Sequence, residues 1–430
     1  MNGRSNRKLS QTIDWVIVGC WLALALVGVV CIYSSCQGYD PDPGFSFSSR
    51  YGKQLVWILI SAVAAFVILF LIKPHVWEVL STPAYLGVLV LLAVVIIFGS
   101  EVNGSKSWFH LGPISFQPCE LSKITTSLVL AHYLRSPDFK IGRFRDLAMI
   151  AVIVGIPTAI ILAEGETGTL LVYLTYAFVL YREGMSGWWL AALLAVVILF
   201  IASMKWPLWV AGIILLLMVG AYFAYGRYKG AKNYAGKRDL WTVSIIAAVA
   251  GALIILSTNL VFNKVLRPHQ RGRIEVLLGM KEDPMGIGYN VNQSKIAIGS
   301  GGFSGKGFLQ GTQTAYGFVP EQSTDFIFCT LGEEFGFLGC AALILLFAAL
   351  IWRILRDAEE SREPFTRIYG YCVAGCFFMH LCINVGMTIG LMPVIGIPLP
   401  LISYGGSSML AFTIMLFIFV ALVRRERKYF

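Results

Sequence analysis

The chain has 430 residues, of which 57% are hydrophobic and 13% are charged, and its mean hydropathy is +0.73. Soluble domains carry about a quarter charged residues, so this composition excludes an ordinary soluble protein and predicts a membrane protein. The formal net charge is +10. Because the basic residues do not gather on one face, nucleic acid is not an expected partner. The nine cysteines form no CxxC pair, which argues against a disulfide framework and a zinc site.

About twelve apolar stretches, bounded by charges, Pro or Gly, can be read as membrane spans, each needing roughly 20 helical residues. They lie near 14–34, 53–73, 84–99, 118–134, 145–163, 168–182, 187–204, 207–226, 241–262, 326–352, 366–391 and 405–423. The pattern predicts an all-α polytopic membrane protein. Its expected parts are an arm 1–13, a bundle 14–262, an extracytoplasmic loop 263–325, further helices 326–423 and a tail 424–430.

The basic residues predict the orientation, because short cytoplasmic loops are enriched in Lys and Arg. With the amino terminus inside, 22 of the 34 basic residues fall in cytoplasmic segments, 11 fall outside, and Lys123 lies within a span. Seven of those 11 belong to the loop 263–325, which is too long for the rule to apply. We therefore expect both termini to be cytoplasmic and this loop to face outward.

The loop 263–325 mixes apolar runs, glycines and isolated charges, unlike disordered segments, so we expect a folded or re-entrant cap. Its GSGGFSGKG stretch lacks the GxxxxGK[ST] pattern, which argues against a nucleotide site. Ionisable residues at membrane depth are functional hypotheses by default. The carboxylates near span ends predict a polar cavity toward the outer leaflet; they are Glu164, Glu166, Asp325, Glu333 and Glu334.

Four sequence blocks resemble the SEDS family of membrane proteins, which comprises RodA, FtsW and SpoVE. The blocks are NGSKSWFHLGPISFQPCELSKI at 103–124, EDPMGIGYNVNQSKIAIGSGGFSGKGFLQGTQ at 282–313, FVPEQSTDFIFCTLGEEFGFLG at 318–339 and NVGMTIGLMPVIGIPLPLISYGGSS at 384–408. The resemblance carried by these blocks extends over nearly the whole chain. The wording KGFLQGTQ looks like the RodA branch, which serves elongation, more than the division branch.

The resemblance implies a peptidoglycan glycosyltransferase that polymerises lipid II, a disaccharide-pentapeptide on undecaprenyl diphosphate. The acceptor's 4-hydroxyl attacks the donor's C1 with inversion. A class B penicillin-binding protein is the implied partner, since this chain has no SxxK, SDN and KTG set of its own. Elongation-complex membrane proteins are further implied partners. A division or sporulation paralogue and a lipid II flippase stay open as alternatives, because a transporter would also have a polar cavity.

Asp283 in EDPMGIGY aligns with the family's essential loop aspartate, which implies that it is the general base for the acceptor hydroxyl. The competing interpretation is a turn residue before Pro284. Glu282 is the substitute candidate for the base.

Arg271 and Arg273 match paired arginines that would bind the diphosphate, with lipid headgroups as the alternative ligand. Lys106 and Arg50 are weaker candidates of the same kind, and each could equally be a solvated loop charge.

Gln117, Glu120 and Lys123 match the family's QPSE block, with Cys119 where serine is usual. Glu120 and Lys123, three residues apart, can pair on a helix, either to neutralise each other or so that Glu120 holds Lys123 for the diphosphate. At 164–169, EGETGT replaces the usual QPDLGT, so Glu166 supplies a longer carboxylate there.

The chain has two spans more than the family's usual ten, inserted between about 187 and 262, where we identify no site-like residue. A carboxylate-rich site near a diphosphate is compatible with Mg²⁺ or Mn²⁺, although no ligand is assigned.

Overall fold

The computed structural model describes residues 12–36, 49–102, 105–111, 114–228, 234–260, 262, 264, 268–278, 280 and 287–429. The candidate base Asp283 and its neighbour Glu282 lie outside the described residues.

Helices account for most of the described chain. In chain order they are α1 (Trp15–Cys36), α2 (Arg50–Phe66, continued by a π-helical turn Val67–Leu71), α3 (His75–Phe98), α4 (Pro118–Leu134), α5 (Phe144–Glu164), α6 (Thr167–Val172), α7 (Thr175–Arg182), α8 (Gly187–Lys205), α9 (Leu208–Tyr228), α10 (Tyr234–Leu260), α11 (Pro268–Leu277), α12 (Ile287–Gly301), α13 (Thr312–Ala315), α14 (Ile327–Glu360), α15 (Pro364–Thr388) and α16 (Gly406–Tyr429). The prediction of an all-α polytopic membrane protein is confirmed by this architecture.

Among the described residues, ten helices are long and apolar enough to cross a membrane. They are α1, α2 with its π-helical turn, α3, α5, α8, α9, α10, α14, α15 and α16. The other two predicted spans, 118–134 and 168–182, are not among these ten helices. Helix α4 has only 17 residues and carries buried polar side chains, whereas the stretch 168–182 is divided into the short helices α6 and α7. Helix α3 begins nine residues before the predicted 84, because Pro83 is accommodated inside it.

The chain forms two compact units, residues 1–183 with 283–430 and residues 184–282. Helices α8 to α11 make up the second unit. Its three long helices pack on one another through a small apolar core around Leu199, Ala211 and Leu215. Most of their remaining apolar side chains are exposed, as expected for lipid-facing helices.

A small antiparallel sheet lies between α3 and α4, which the sequence did not predict. Its strands β1 (Ser100–Val102), β2 (Ser105–Leu111) and β3 (Ile114–Phe116) pair in the order β1–β2–β3. On β2, Ser105 and Ser107 are buried whereas Lys106 is exposed, which is the alternation expected of a strand with one covered face. The sheet thereby presents serines to the helices.

One end of the first unit is fixed by a buried cluster of charges. Asp14, just before α1, accepts from Arg353 Nε at 2.8 Å and from Arg427 Nη1 at 3.2 Å. Arg427 also donates to Asp357 at 2.8 Å. Burial raises the pKa of Asp14, but the hydrogen bond from Arg353 and the other favourable contacts outweigh it, so that this pKa is lowered. The cluster joins α14 and α16 to the start of α1.

Candidate functional site

Lys123 is the centre of the site, because its charged group is buried in the first unit. The residue is 2% exposed, and its Nζ lies 2.8 Å from Glu120 Oε1. The two residues are three apart on α4, so the predicted pair is present. Glu120 Oε2 has no hydrogen-bond partner among the described residues. Half of this carboxylate is therefore available for a further ligand.

His380 on α15 is the second polar partner of Lys123. Its Nε2 lies 2.9 Å from Lys123 Nζ, and its Nδ1 lies 3.1 Å from the carbonyl oxygen of Pro398. The ring of Phe412 covers the ammonium group, with Nζ 4.8 Å from the ring centroid. Three helices thus hold one lysine: α4, α15 and α16.

The segment EGETGT at 164–169, which differs from the family's usual QPDLGT, lies beside α4. Thr169 Oγ1 donates to Cys119 Sγ at 3.6 Å, which brings the start of α6 against the first turn of α4. Glu166, just before α6, accepts from Ser107 Oγ at 3.2 Å. The fold therefore brings together two of the predicted site segments, 117–123 and 164–169. Ser107 is the link from the sheet to this carboxylate.

Glu164, the last residue of α5, is 1% exposed. Neither of its carboxylate oxygens has a hydrogen-bond partner among the described residues. It lies within electrostatic range of Glu166. A carboxylate in this position must either take up a proton or meet a cation, because an isolated buried charge is costly. Glu164 is thus a second unsatisfied acid next to the site.

A non-helical stretch, 389–405, lies between α15 and α16. Non-helical backbone at membrane depth requires partners inside the protein. Asn384 supplies one, since its Nδ2 donates to the carbonyl oxygens of Ile397 at 2.7 Å and Asp325 at 2.9 Å. Ser403 supplies another by accepting from the N–H of Leu399 and donating to Thr324 O. The stretch is therefore held in one conformation beside α15.

The remaining candidates in the first unit are more peripheral. Arg50 is exposed at the start of α2, and its Nη1 donates to Ser323 Oγ at 2.7 Å. Lys106 is exposed on β2, where its register partner on β1 is Glu101. Gln117 is half-buried at the N-terminal cap position of α4 and makes no side-chain capping hydrogen bond. Their roles in substrate binding stay predictions.

Arg271 and Arg273 both lie on α11, in the second unit. Residues two apart on a helix point in different directions, so the pair does not form one clamp on a single helix face. Arg271 lies over the ring of Phe262, 5.0 Å from its centroid, and 4.0 Å from Glu275. Each arginine must therefore be considered as a separate diphosphate ligand.

Glu333 and Glu334, which the sequence suggested as cavity residues, instead hold the backbone of residues 302–314. Glu333 is fully buried and accepts from Lys306 Nζ at 2.7 Å and from the N–H groups of Gln313 and Thr314. Glu334 accepts from Ser34 and from the N–H of Leu309. Glu333 is therefore structural in this part of the first unit, whereas Glu334 keeps one oxygen, Oε2, without a hydrogen-bond partner among the described residues.

Within the described ranges, no three His, Cys, Asp or Glu side chains come together as a metal site. The structure thus assigns no ligands to a Mg²⁺ or Mn²⁺ ion within these ranges, and such an ion stays a prediction.

Sequence reasoning missed His380, Ser107 and Thr169. A histidine inside an apolar span is a usable signal, because ionisable groups in spans are rare. The roles of the serine and the threonine depend on the unpredicted sheet and on the division of the span 168–182, so no local pattern indicated them.

Comparisons with known proteins place these features in context. The FtsW/RodA/SpoVE family model, described as "Cell cycle protein", matches residues 14–225 and 233–429. Peptidoglycan glycosyltransferase RodA of Treponema pallidum (strain Nichols) is 33% identical over 92% of this chain and 94% of that protein. Peptidoglycan glycosyltransferase MrdB of Escherichia coli (strain K12) is 32% identical over 90% of this chain and 87% of its own length. A solved peptidoglycan synthase complex, described as coordinating polymerization and crosslinking, contains a chain 28% identical, with a TM-score of 0.68 and coverage of 96% of this chain and 98% of that one.

Proposed function

The chain belongs to the FtsW/RodA/SpoVE family, and from this premise we propose that it is a peptidoglycan glycosyltransferase that polymerises lipid II into β-1,4 glycan strands during cell-wall elongation. The observation that carries the proposal is the buried Lys123. A desolvated ammonium group at membrane depth suits a leaving group that carries negative charge and is attached to a lipid.

The reaction needs a base and a cation. The acceptor's 4-hydroxyl attacks C1 of the donor sugar while the bond from C1 to the diphosphate oxygen breaks, and undecaprenyl diphosphate departs with the electron pair. Asp283 takes the hydroxyl proton. Lys123 stabilises the departing diphosphate, and Glu120 orients the ammonium group through the 2.8 Å contact.

The other candidates extend the binding region. Arg271 and Arg273 are separate diphosphate ligands, since they leave different sides of α11. Glu166 and Gln117 bind sugar or peptide hydroxyl and amide groups next to Lys123, whereas Lys106 and Arg50 contact the lipid II headgroup from exposed positions.

The protein is a multi-pass membrane protein. We place it in the cytoplasmic (inner) membrane with both termini cytoplasmic and the catalytic loop 263–325 facing outward, as the distribution of basic residues predicts. A class B penicillin-binding protein would supply the transpeptidase activity. Similarity to a chain of a peptidoglycan synthase complex supports this partner. Membrane proteins of the elongation complex are the further partners that we propose.

The test is polymerisation of labelled lipid II by the purified protein with its penicillin-binding partner. We expect muramidase-sensitive glycan polymer from the wild type and at least a hundredfold less from Lys123→Met, since the loss of one charge-stabilising group costs about 10²–10³ in rate. The matched control is Lys73→Met, which removes an exposed lysine and should leave the rate unchanged. Movement of lipid II across vesicles without polymer would instead indicate a flippase.

A further inference from the structure

The neighbourhood of Lys123 fixes the tautomer of His380. The carbonyl oxygen of Pro398, 3.1 Å from Nδ1, can only accept a hydrogen bond. Nδ1 therefore carries the proton and donates to Pro398. Nε2, 2.9 Å from Lys123 Nζ, must then be the acceptor for the ammonium group. A protonated imidazole is excluded by the same geometry, because it would place two cationic donors face to face in a buried site.

The ammonium group of Lys123 has three protons. One is directed to Glu120 Oε1 and a second to His380 Nε2, and these two contacts come from different helices. The ring of Phe412 covers one side of the nitrogen. With the bond to Cε and two N–H bonds in fixed directions, the tetrahedral geometry of the ammonium group fixes the direction of the third N–H bond. The ammonium group of Lys123 is therefore held in one orientation. A lysine without such contacts has no fixed orientation, because its four-carbon stem is flexible.

His380 also connects the lysine to the non-helical stretch. Pro398 lies next to Ile397, whose carbonyl oxygen is held by Asn384, and next to Leu399, whose N–H is held by Ser403. The imidazole is itself 2% exposed, so its two contacts are made without competition from water. Its position is thus fixed by a rigid surrounding and not by Lys123 alone.

We propose that His380 is a positioning residue for the diphosphate: as a neutral hydrogen-bond acceptor it aims Lys123 at the leaving group. The inference rests on the proposed function of Lys123. It assigns to His380 no contact with the substrate and no proton transfer, and its effect is exerted through Lys123 Nζ.

Two substitutions separate this role from a purely structural one. His380→Gln places an amide oxygen near the position of Nε2, so it keeps the acceptor for Lys123 and loses the donor to Pro398. His380→Asn places its amide near Nδ1, so it keeps the tether to Pro398 and loses the acceptor. His380→Leu loses both. Ser403→Ala is the matched control, since it loosens the same stretch without touching Lys123.

The experiment measures kcat and KM for lipid II, and inhibition by inorganic pyrophosphate, for each variant with its penicillin-binding partner. We expect His380→Asn and His380→Leu to weaken lipid II and pyrophosphate binding by about tenfold to a hundredfold, which is the cost of losing a hydrogen bond to a charged group. His380→Gln should stay within about threefold of the wild type. Ser403→Ala should lower the melting temperature and change KM much less than His380→Asn does.

If His380→Asn is active and His380→Gln is impaired, the proposal is overturned, and the role of His380 is to support the non-helical stretch. Equal activity of all variants would overturn it as well. If His380→Leu fails to fold, the comparison of Asn with Gln still decides. Failure of the wild type to polymerise lipid II would count against the proposed function, and is thereby distinct from failure of this inference.

Discussion

Glu333, in the second turn of α14, and Glu164, the last residue of α5, are both buried glutamates, yet their surroundings are opposite. Glu333 is fully buried and accepts hydrogen bonds from Lys306, from the hydroxyls of Thr312 and Thr314 and from two backbone N–H groups. Glu164 is 1% exposed and neither of its oxygens has a partner in the described part of the chain. Burial alone therefore does not separate a structural carboxylate from one available for chemistry.

The difference between the two glutamates shows which buried carboxylates stabilise the fold and which destabilise it. A buried carboxylate with a full set of donors fastens a segment, whereas one without donors costs free energy. Proteins tolerate such violations mainly at functional sites. The position of Glu164 beside Glu166 and close to the Cys119–Thr169 contact is consistent with this rule.

The largest expected effect on stability comes from substituting Glu333, the glutamate with a full set of hydrogen-bond donors. Glu333→Leu leaves the Lys306 ammonium and two N–H groups without their acceptor, and we expect a loss of about 3–5 kcal/mol in stability. The measurement is thermal or denaturant unfolding in detergent.

Its matched control is Glu360→Leu on the same helix, since Glu360 is exposed and paired only with Arg356 in the described ion pairs. Such a pair contributes about 0–1 kcal/mol. Equal losses for the two variants would contradict the structural role of Glu333.

Asp14 extends the comparison to a third buried acid, one that is satisfied by guanidinium groups. Because its pKa is lowered in the folded protein, its contribution to stability is present above the unfolded pKa of about 3.9 and is lost as the pH falls through the folded value. Asp14→Asn should cost about 1.5–3 kcal/mol at neutral pH.

The same substitution should flatten the acid limb of the stability curve, which is measured as the melting temperature from pH 7 down to about pH 2, because the loss of stabilisation lies below the unfolded pKa. A wild-type curve that coincides with that of Asp14→Asn would show that Arg353 and Arg427 do not stabilise the ionised form.

The smallest expected effect has the opposite sign. Glu164→Leu replaces an unsatisfied buried acid with an apolar side chain, so we expect a gain of about 1–3 kcal/mol. Melting temperature is the measurement, and a decrease would show that Glu164 has a stabilising partner. A stabilised variant with reduced glycan synthesis would identify Glu164 as a residue retained for function.

The membrane class and the positions of most helices could be predicted from the sequence, because an apolar run as long as Trp15–Cys36 crosses a bilayer as a helix. The Glu120–Lys123 pair was predictable for a similar reason, since it depends only on helical spacing.

Contacts between distant segments could not be predicted in this way. His380 reaches Lys123 across 257 positions, and Glu333 reaches Lys306 because residues 302–314 turn back on α14. The sheet escaped prediction since its strands are short and one, Ser105–Leu111, carries serine and lysine in place of a clear apolar alternation.

The central claim, that the chain forms glycosidic bonds with Asp283 as the base, is tested most directly by comparing Asp283→Asn with its neighbour Glu282→Gln in the lipid II polymerisation assay. Both substitutions remove one carboxylate from the same segment without changing side-chain size. The account predicts that Asp283→Asn lowers kcat by at least about a hundredfold, the range for loss of a general base, while Glu282→Gln stays near the wild type. Normal polymerisation by Asp283→Asn would contradict the assignment, and its loss in Glu282→Gln would give the role of base to Glu282.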